Sequence, residues 1–222
     1  MNTKVLFMVI LLSSSAVLAQ KQETPLGFTA NTLSITFSGG ASIPVSGKYD
    51  AALKMKDILE TGPAFGGSIA YSASPFISLR GAFDFDYNYF KSKYRPAGKK
   101  PAFVAPTVMT DVILKFGSLI PDNSIFNPYI DAGVGLYFWK FSENKIGGKA
   151  TTSVKGKALK KTSFGLHTGA GIELYLLPNL SFFAEGQYRY IFSKDKSNFG
   201  ENFENVGFIK LGGGLTYYFS LL

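Results

Sequence analysis

The stretch from Ile77 to Phe90, ISLRGAFDFDYNYF, alternates apolar and polar side chains with a period of two, which predicts a β-strand. Leu79 and Phe83 lie on one face of this strand, and Arg80 and Asp84 lie on the other. The run is about twice as long as a usual strand. Which of its two faces meets water therefore decides the kind of fold that this chain can adopt.

The same alternation recurs along the chain and predicts eight strands, at about 32–43, 64–74, 76–90, 103–116, 128–141, 162–176, 180–192 and 207–219. Tight links at 74–76 and 177–179 and an intermediate link at 117–127 alternate with four long polar links, which is typical of an antiparallel up-and-down meander. In the first long link, DAALKMKDILE could form a turn or two of helix, although its composition favours a mobile loop.

The two faces of the predicted strands differ sharply in charge and in bulk. One face is rich in Phe, Tyr and Leu, and its 50 assigned positions, which on the fifth strand end at Phe138, carry no charged residue. The other face is rich in Gly and Ser and carries the strand charges and the single histidine: Arg80, Asp84, Asp86, Asp111, Lys115, Asp131, His167, Glu173, Glu185, Arg189 and Lys210.

These faces predict an all-β, eight-stranded antiparallel up-and-down transmembrane β-barrel. The interior of an eight-stranded barrel is just wide enough for side chains, so the bulky apolar face cannot fit inside. It must point outward into lipid, where an Arg or Lys at the midplane would cost about 2 to 4 kcal/mol. A soluble lipocalin-like carrier would need the opposite arrangement, with the apolar face inside.

The N-terminal residues have the layout of a secretory signal peptide. Lys4 precedes an apolar run from Val5 to Leu12, and small residues with Val17 and Ala19 follow before Gln20. We therefore expect a signal peptide over residues 1–19 and one barrel domain over residues 20–222. The chain has no cysteine, which excludes disulfides and thiolate chemistry.

Three sequence segments are similar to those of a known family: NPYIDAGVGLYF at 127–138, FGLHTGAGIELYL at 164–176 and GGGLTYYF at 212–219. In this order they resemble the small outer-membrane β-barrel domain proteins of Gram-negative bacteria, a group that includes the OmpA membrane domain and OmpX. The resemblance implies an integral protein of the cell outer membrane. It also implies that the assembly machinery recognises the end of the last strand, here Leu215, Tyr217 and Phe219, although Ser220, Leu221 and Leu222 follow in this chain.

The charges predicted to lie in the lumen allow two interpretations. Six acidic and four basic residues could form a salt-bridged structural plug, because charges in a narrow tube need partners, or they could line a narrow path for ions. The plug is the favoured interpretation. A lipid A-modifying enzyme is a further alternative because related barrels use His with Ser, but Ser163 lies four residues from His167. With one histidine and no cysteine, we expect no catalytic, metal or cofactor site.

Two of the long links are strongly basic and form the candidate partner surface. The chain has a net charge of +8, which favours anionic partners, but it shows no signature of nucleic-acid binding. We expect a monomer with a non-enzymatic structural or surface role. Its expected partners are outer-membrane lipids, lipopolysaccharide and extracellular polyanions. The alternative function is that of a narrow porin or transporter. The basic residues of this surface are Lys91, Lys93, Arg95, Lys99, Lys100, Lys145, Lys149, Lys155, Lys157, Lys160 and Lys161.

Overall fold

The computed structural model describes residues 24–123 and 125–221. The expected signal peptide, residues 1–19, lies outside the described residues. Eight strands follow one another along the chain, as predicted: β1 (Thr32–Ser46), β2 (Gly62–Ser72), β3 (Ile77–Tyr89), β4 (Ala102–Lys115), β5 (Phe126–Ser142), β6 (Lys160–Leu177), β7 (Leu180–Ile191) and β8 (Val206–Ser220).

The strands form one closed barrel in which each strand pairs with its sequence neighbours and β1 pairs with β8. All pairings are antiparallel, and the closing pair matches Phe37 with Leu215 and Leu33 with Phe219. Closure leaves no sheet edge with unpaired backbone groups. The predicted fold class, an up-and-down eight-stranded barrel, is confirmed.

The apolar face is the outer surface of this barrel. Phe83 is 51% exposed, whereas its neighbour Asp84 is 5% exposed. The same alternation holds on β1, where Phe37 is 73% exposed and Ser34 is buried. The side chains that the sequence assigns to lipid thus lie outside, and the charged, glycine-rich face surrounds the barrel axis.

Glycines make room inside the barrel for large aromatic rings. A Cβ atom on Gly165 would lie 2.5 Å from the ring of Tyr137, and one on Gly214 would lie 2.9 Å from the ring of Phe183. Both distances are shorter than carbon atoms tolerate. The glycines in β6 and β8 are therefore a packing requirement of a narrow interior that also holds aromatic side chains.

The long loop between β1 and β2 is anchored, and the expectation of a mobile segment is wrong. It contains a one-turn helix, Met55–Ile58, and both end residues of this helix are fully buried. Leu59 is buried beside them in the same apolar cluster. The sequence signal for a short helix was correct, but the apolar residues that hold it down are spaced too irregularly to predict their burial.

A second one-turn helix, Lys196–Phe199, lies in the loop between β7 and β8, where the Asp195 side chain accepts a hydrogen bond from the backbone amide of Asn198. In the described part of the chain, no helix is long and apolar enough to cross a membrane.

Candidate functional site

The charged residues of the barrel interior form three successive layers. The layer nearest the long loops contains Arg189, which is 1% exposed. Its Nη1 donates to Asp86 at 3.0 Å, its Nη2 contacts Asp84, and its Nε donates to Gln187 at 3.0 Å. Lys210 contacts Asp84 at 2.8 Å. Two cations thus balance two carboxylates in this layer.

The middle layer is centred on Arg80 and carries an excess of acid. The Arg80 guanidinium lies 2.5 Å from Asp111, 3.1 Å from Glu185 and 3.5 Å from Asp131. The Nε2 atom of His167 contacts the other oxygen of Asp111. One arginine and one histidine therefore face three carboxylates.

The layer nearest the short turns is centred on Glu173. Its carboxylate accepts hydrogen bonds from the hydroxyls of Tyr175 at 2.9 Å, Tyr218 at 2.5 Å and Ser181. Lys115 provides the positive charge of this layer, with its Nζ 5.6 Å from the centre of the Tyr218 ring. Three hydroxyl donors stabilise this carboxylate although it is buried.

Two small cavities remain between these layers, and Arg80 lines both. Their volumes are about 30 Å³ and about 40 Å³. A cavity of this size holds one or a few water molecules, because each needs roughly 10 to 15 Å³ of accessible space. Each of these two cavities therefore has room for water but not for a larger solute.

Aromatic residues close over the barrel at its long-loop end, a feature that sequence reasoning missed. Trp139 stacks on Phe203 at 5.7 Å between ring centres, and Phe203 meets Phe199 at 5.2 Å. All four long loops contribute to this buried aromatic cap, whose members from loops and strand ends are Met55, Ile58, Leu59, Phe90, Phe103, Phe141, Leu159, Phe199, Phe203, Trp139, Val206 and Phe208. The one available signal was the pair Phe199 and Phe203 in the otherwise polar loop between β7 and β8.

The N-terminal segment covers the opposite end of the barrel. A turn at Leu26–Phe28 places the Phe28 ring 5.0 Å from the Tyr175 ring, and the Leu26 amide donates to the Pro178 carbonyl at 2.8 Å. Gly27 passes so close to Tyr175 that a Cβ atom would overlap the hydroxyl. The two ends of the interior are thus covered by different means, loop aromatics at one and the leading segment at the other.

His167 and Ser163 contact different groups in the interior. Ser163 accepts a hydrogen bond from Trp139 Nε1 at 2.9 Å and does not contact the imidazole.

Asp111, Asp131 and His167 have donor atoms within 4.8 Å of one another, which is a spacing that a metal ion could use. Arg80 already contacts both of these carboxylates, so its positive charge opposes a cation at this position.

The two basic loops lie side by side. The Lys145 amide donates to the Lys100 carbonyl at 2.8 Å, and the Lys100 amide donates to the Asn144 side chain at 3.1 Å. These contacts bring Lys100 and Lys145 together, whereas the tip of the loop between β5 and β6 lies against the loop between β7 and β8, where Ser153 donates to the Asn198 carbonyl at 2.8 Å. Lys160 and Lys161, which the sequence assigned to a loop, lie at the start of β6.

Three of these basic side chains have acidic partners. Arg95 pairs with Glu60 at 2.9 Å, Lys161 with Asp195 at 3.0 Å and Lys99 with Glu143 at 3.9 Å. Within residues 24–123 and 125–221, no acidic partner lies within 4.0 Å of Lys91, Lys93, Lys100, Lys145, Lys149, Lys155, Lys157 or Lys160.

One acid at this rim is fixed in its charged form. Hydrogen bonds from the side chains of Asn198, Lys161 and Ser197 hold the pKa of Asp195 well below its ordinary value. Asp195 therefore continues to neutralise Lys161 at moderately acidic pH. The uncompensated part of the basic surface lies in the remaining lysines.

The predicted assembly residues lie on the outer surface of β8. Leu215, Tyr217 and Phe219 are 50%, 44% and 41% exposed, and Asn179 donates a hydrogen bond to the Tyr217 hydroxyl at 2.8 Å. Their recognition by assembly machinery stays a prediction.

The layer around Arg189 generates a test of stability. Arg189→Met removes the cation of Asp86, while Asp84 retains Lys210. We expect the free energy of unfolding to fall by about 3 to 5 kcal/mol, the cost of leaving a buried charge unpaired. The measurement is urea unfolding of the barrel in detergent micelles, followed by tryptophan fluorescence.

Two further variants make this test specific. Arg189→Met combined with Asp86→Leu should recover part of the loss, because neither charge is then left alone. Lys194→Met, on the exposed rim, should change the free energy by no more than about 0.5 kcal/mol. An unfolding midpoint unchanged in the single variant, or no better in the double variant, would contradict the paired layer.

The comparisons with known proteins agree with this architecture. Neisserial surface protein A is 18% identical, with a TM-score of 0.53 over 86% of this chain and 98% of that chain. The outer membrane protein AlkL, solved in lipid bilayers, is 13% identical, with a TM-score of 0.52 over 87% of this chain and 92% of that chain. No curated protein matches the sequence. The family model described as the outer membrane protein beta-barrel domain matches residues 6–219, and the chain therefore belongs to this family of integral outer-membrane barrels.

Proposed function

We propose that this protein is a non-enzymatic barrel of the outer membrane, with an interior closed to solutes and a basic loop surface that binds polyanionic partners. The contact between the two basic loops carries this proposal, because it brings together Lys100 and Lys145, neither of which has an acidic partner in the described ranges.

The closed interior is supported by the ion-pair layers and by the covers at both ends. A hydrated ion moving along the axis would have to displace Arg189 from two carboxylates and Arg80 from three. It would also have to pass the aromatic cap at one end and Phe28 at the other. Breaking buried ion pairs is costly, so these obstacles favour a structural role for the interior.

A non-enzymatic role is supported by the position of the one histidine. His167 is 4% exposed and points into the middle layer, away from the lipid-facing surface where a lipid-modifying enzyme would need it. Its partner is a carboxylate that is itself held by Arg80. No activated hydroxyl lies beside it in the described ranges, so the imidazole has no nucleophile to activate.

The polyanionic partner is argued from charge and from topology. The start of β1 and the end of β8 lie at the short-turn end of the barrel, so export and insertion would leave the four long loops outside the cell. Lipopolysaccharide phosphates and sulfated glycans are the polyanions available there. Exposed charges act over about 8 Å at physiological salt, so binding should weaken steeply as salt rises.

A narrow path for cations is the alternative that one observation favours. The middle layer carries three carboxylates against one arginine and one histidine, and small cavities on both sides of Arg80 have room for water. A cation-selective leak through this layer would be the expected behaviour if Arg80 moved aside.

Conductance in planar lipid bilayers separates these two functions. We expect the reconstituted barrel to show no large, stable single-channel currents, because the layers and covers obstruct the axis. Arg80→Ser should raise the conductance, since it joins the two small cavities and removes the central cation. Stable currents through the unmodified barrel, with cation selectivity, would refute the closed interior and support the alternative.

Replacing rim lysines tests the partner surface. Lys93→Gln, Lys100→Gln and Lys157→Gln together should shift elution from immobilised heparin or lipopolysaccharide to lower salt. The matched control is Lys54→Gln, Lys56→Gln and Lys194→Gln, which removes the same charge from the other two long loops. If both triple variants elute at the same salt concentration, retention reflects net charge alone and the proposed surface is wrong.

A further inference from the structure

An apolar groove with lysines at one end crosses the outer surface of β3 to β6, close to the long loops. Its volume is about 510 Å³. Phe85, Val104, Pro106 and Phe138 form its apolar part, and Ile146 reaches it from the loop between β5 and β6. Three lysines also line it, Lys140, Lys160 and Lys161, and none of its lining residues is acidic.

The groove lies across an interruption of the sheet. The ladder between β4 and β5 pairs Val104 with Lys140 and Thr107 with Tyr137, but it omits the two positions between them on each strand. One of these is Pro106, which has no amide hydrogen to donate. The loosened contact between the strands coincides with the apolar part of the groove.

Lys140 and Lys160 stand directly opposite each other on β5 and β6. Lys140 lies two residues after the outward Phe138, so both lysines belong to the outer face of the barrel. Like charges in opposed positions destabilise a sheet unless an anion lies between them.

Protein groups leave this pair of charges unbalanced. Lys140 Nζ donates only to the Gly148 carbonyl, at 3.3 Å, and neither lysine has a carboxylate partner in the described part of the chain. Lys161, by contrast, is neutralised by Asp195. The two outward lysines therefore offer an anion site at the boundary between loops and lipid.

We propose that this groove binds one lipid with a phosphate headgroup. The phosphate lies between Lys140 and Lys160, and an acyl chain lies along Phe85, Pro106 and Phe138. The apolar part of the groove is continuous with the lipid-facing surface, where Phe138 and Phe164 are 44% and 48% exposed. A lysine ammonium is a common ligand of phosphate. This site shares Lys160 with the basic loop surface, but Lys140 and the apolar part of the groove do not belong to that surface.

The only tryptophan of the chain, Trp139, lies between the groove residues Phe138 and Lys140 on β5. Its ring is 1% exposed and faces the aromatic cap, so it reports on an occupant of the groove across the thickness of the strand. The full barrel is reconstituted in vesicles of phosphatidylcholine with a small, fixed fraction of phosphatidic acid. In one preparation bromine atoms, which quench tryptophan fluorescence, are on the acyl chains of the phosphatidic acid. In the other they are on the same mole fraction of phosphatidylcholine, so the membrane charge is identical.

We expect stronger quenching when the phosphatidic acid carries the bromine. Lys140→Gln with Lys160→Gln should abolish this excess, whereas Lys54→Gln with Lys56→Gln, which removes two rim charges away from the groove, should retain it. Equal quenching by both brominated lipids would mean ordinary surrounding lipid only and would overturn the proposal. Equal loss in both double variants would overturn it too, because rim charge alone would then explain the effect. The quenching measurement is independent of the heparin experiment, so the failure of one proposal can be told apart from the failure of the other.

Discussion

The pairing of β1 with β8 is the constraint on which the rest of this structure depends. Hydrocarbon offers no partner for backbone amides and carbonyls, so a sheet in a membrane must close on itself. With eight strands, closure fixes an interior that holds side chains but little else. Large apolar residues are then forced outward, where lipid accepts them, and the charges are forced inward, where each must find an opposite charge or a hydrogen bond.

The three interior layers satisfy this requirement with different chemistry. Around Arg189 two cations balance two carboxylates, whereas Glu173 is satisfied mainly by hydroxyl groups. The middle layer has more acid than base and is adjacent to the small cavities. A buried ion pair is weak support for stability, but removing one partner is strongly destabilising. Each buried charge in the interior therefore depends on its partner, and the energies of the individual contacts cannot simply be added.

The strands and their faces were predictable because the signals are local. Alternation needs only neighbouring residues, and the exclusion of charge from one face is visible without any pairing. The partners of each charge were not predictable, since Arg80 meets Asp111 only through the register between β3 and β4. The aromatic cap was also missed, because residues such as Met55 and Phe203 come from different loops and share no periodic spacing.

The reaction of a buried cysteine with a water-soluble thiol reagent tests most directly whether the charged interior is closed. The chain has no cysteine of its own, so a single introduced thiol is unambiguous. Ala70 faces the interior and is 7% exposed. In membrane-embedded barrel, the thiol of Ala70→Cys should react only after unfolding, whereas that of Lys157→Cys on a loop should react at once. Equally fast reaction at both positions in the folded protein would contradict a closed interior.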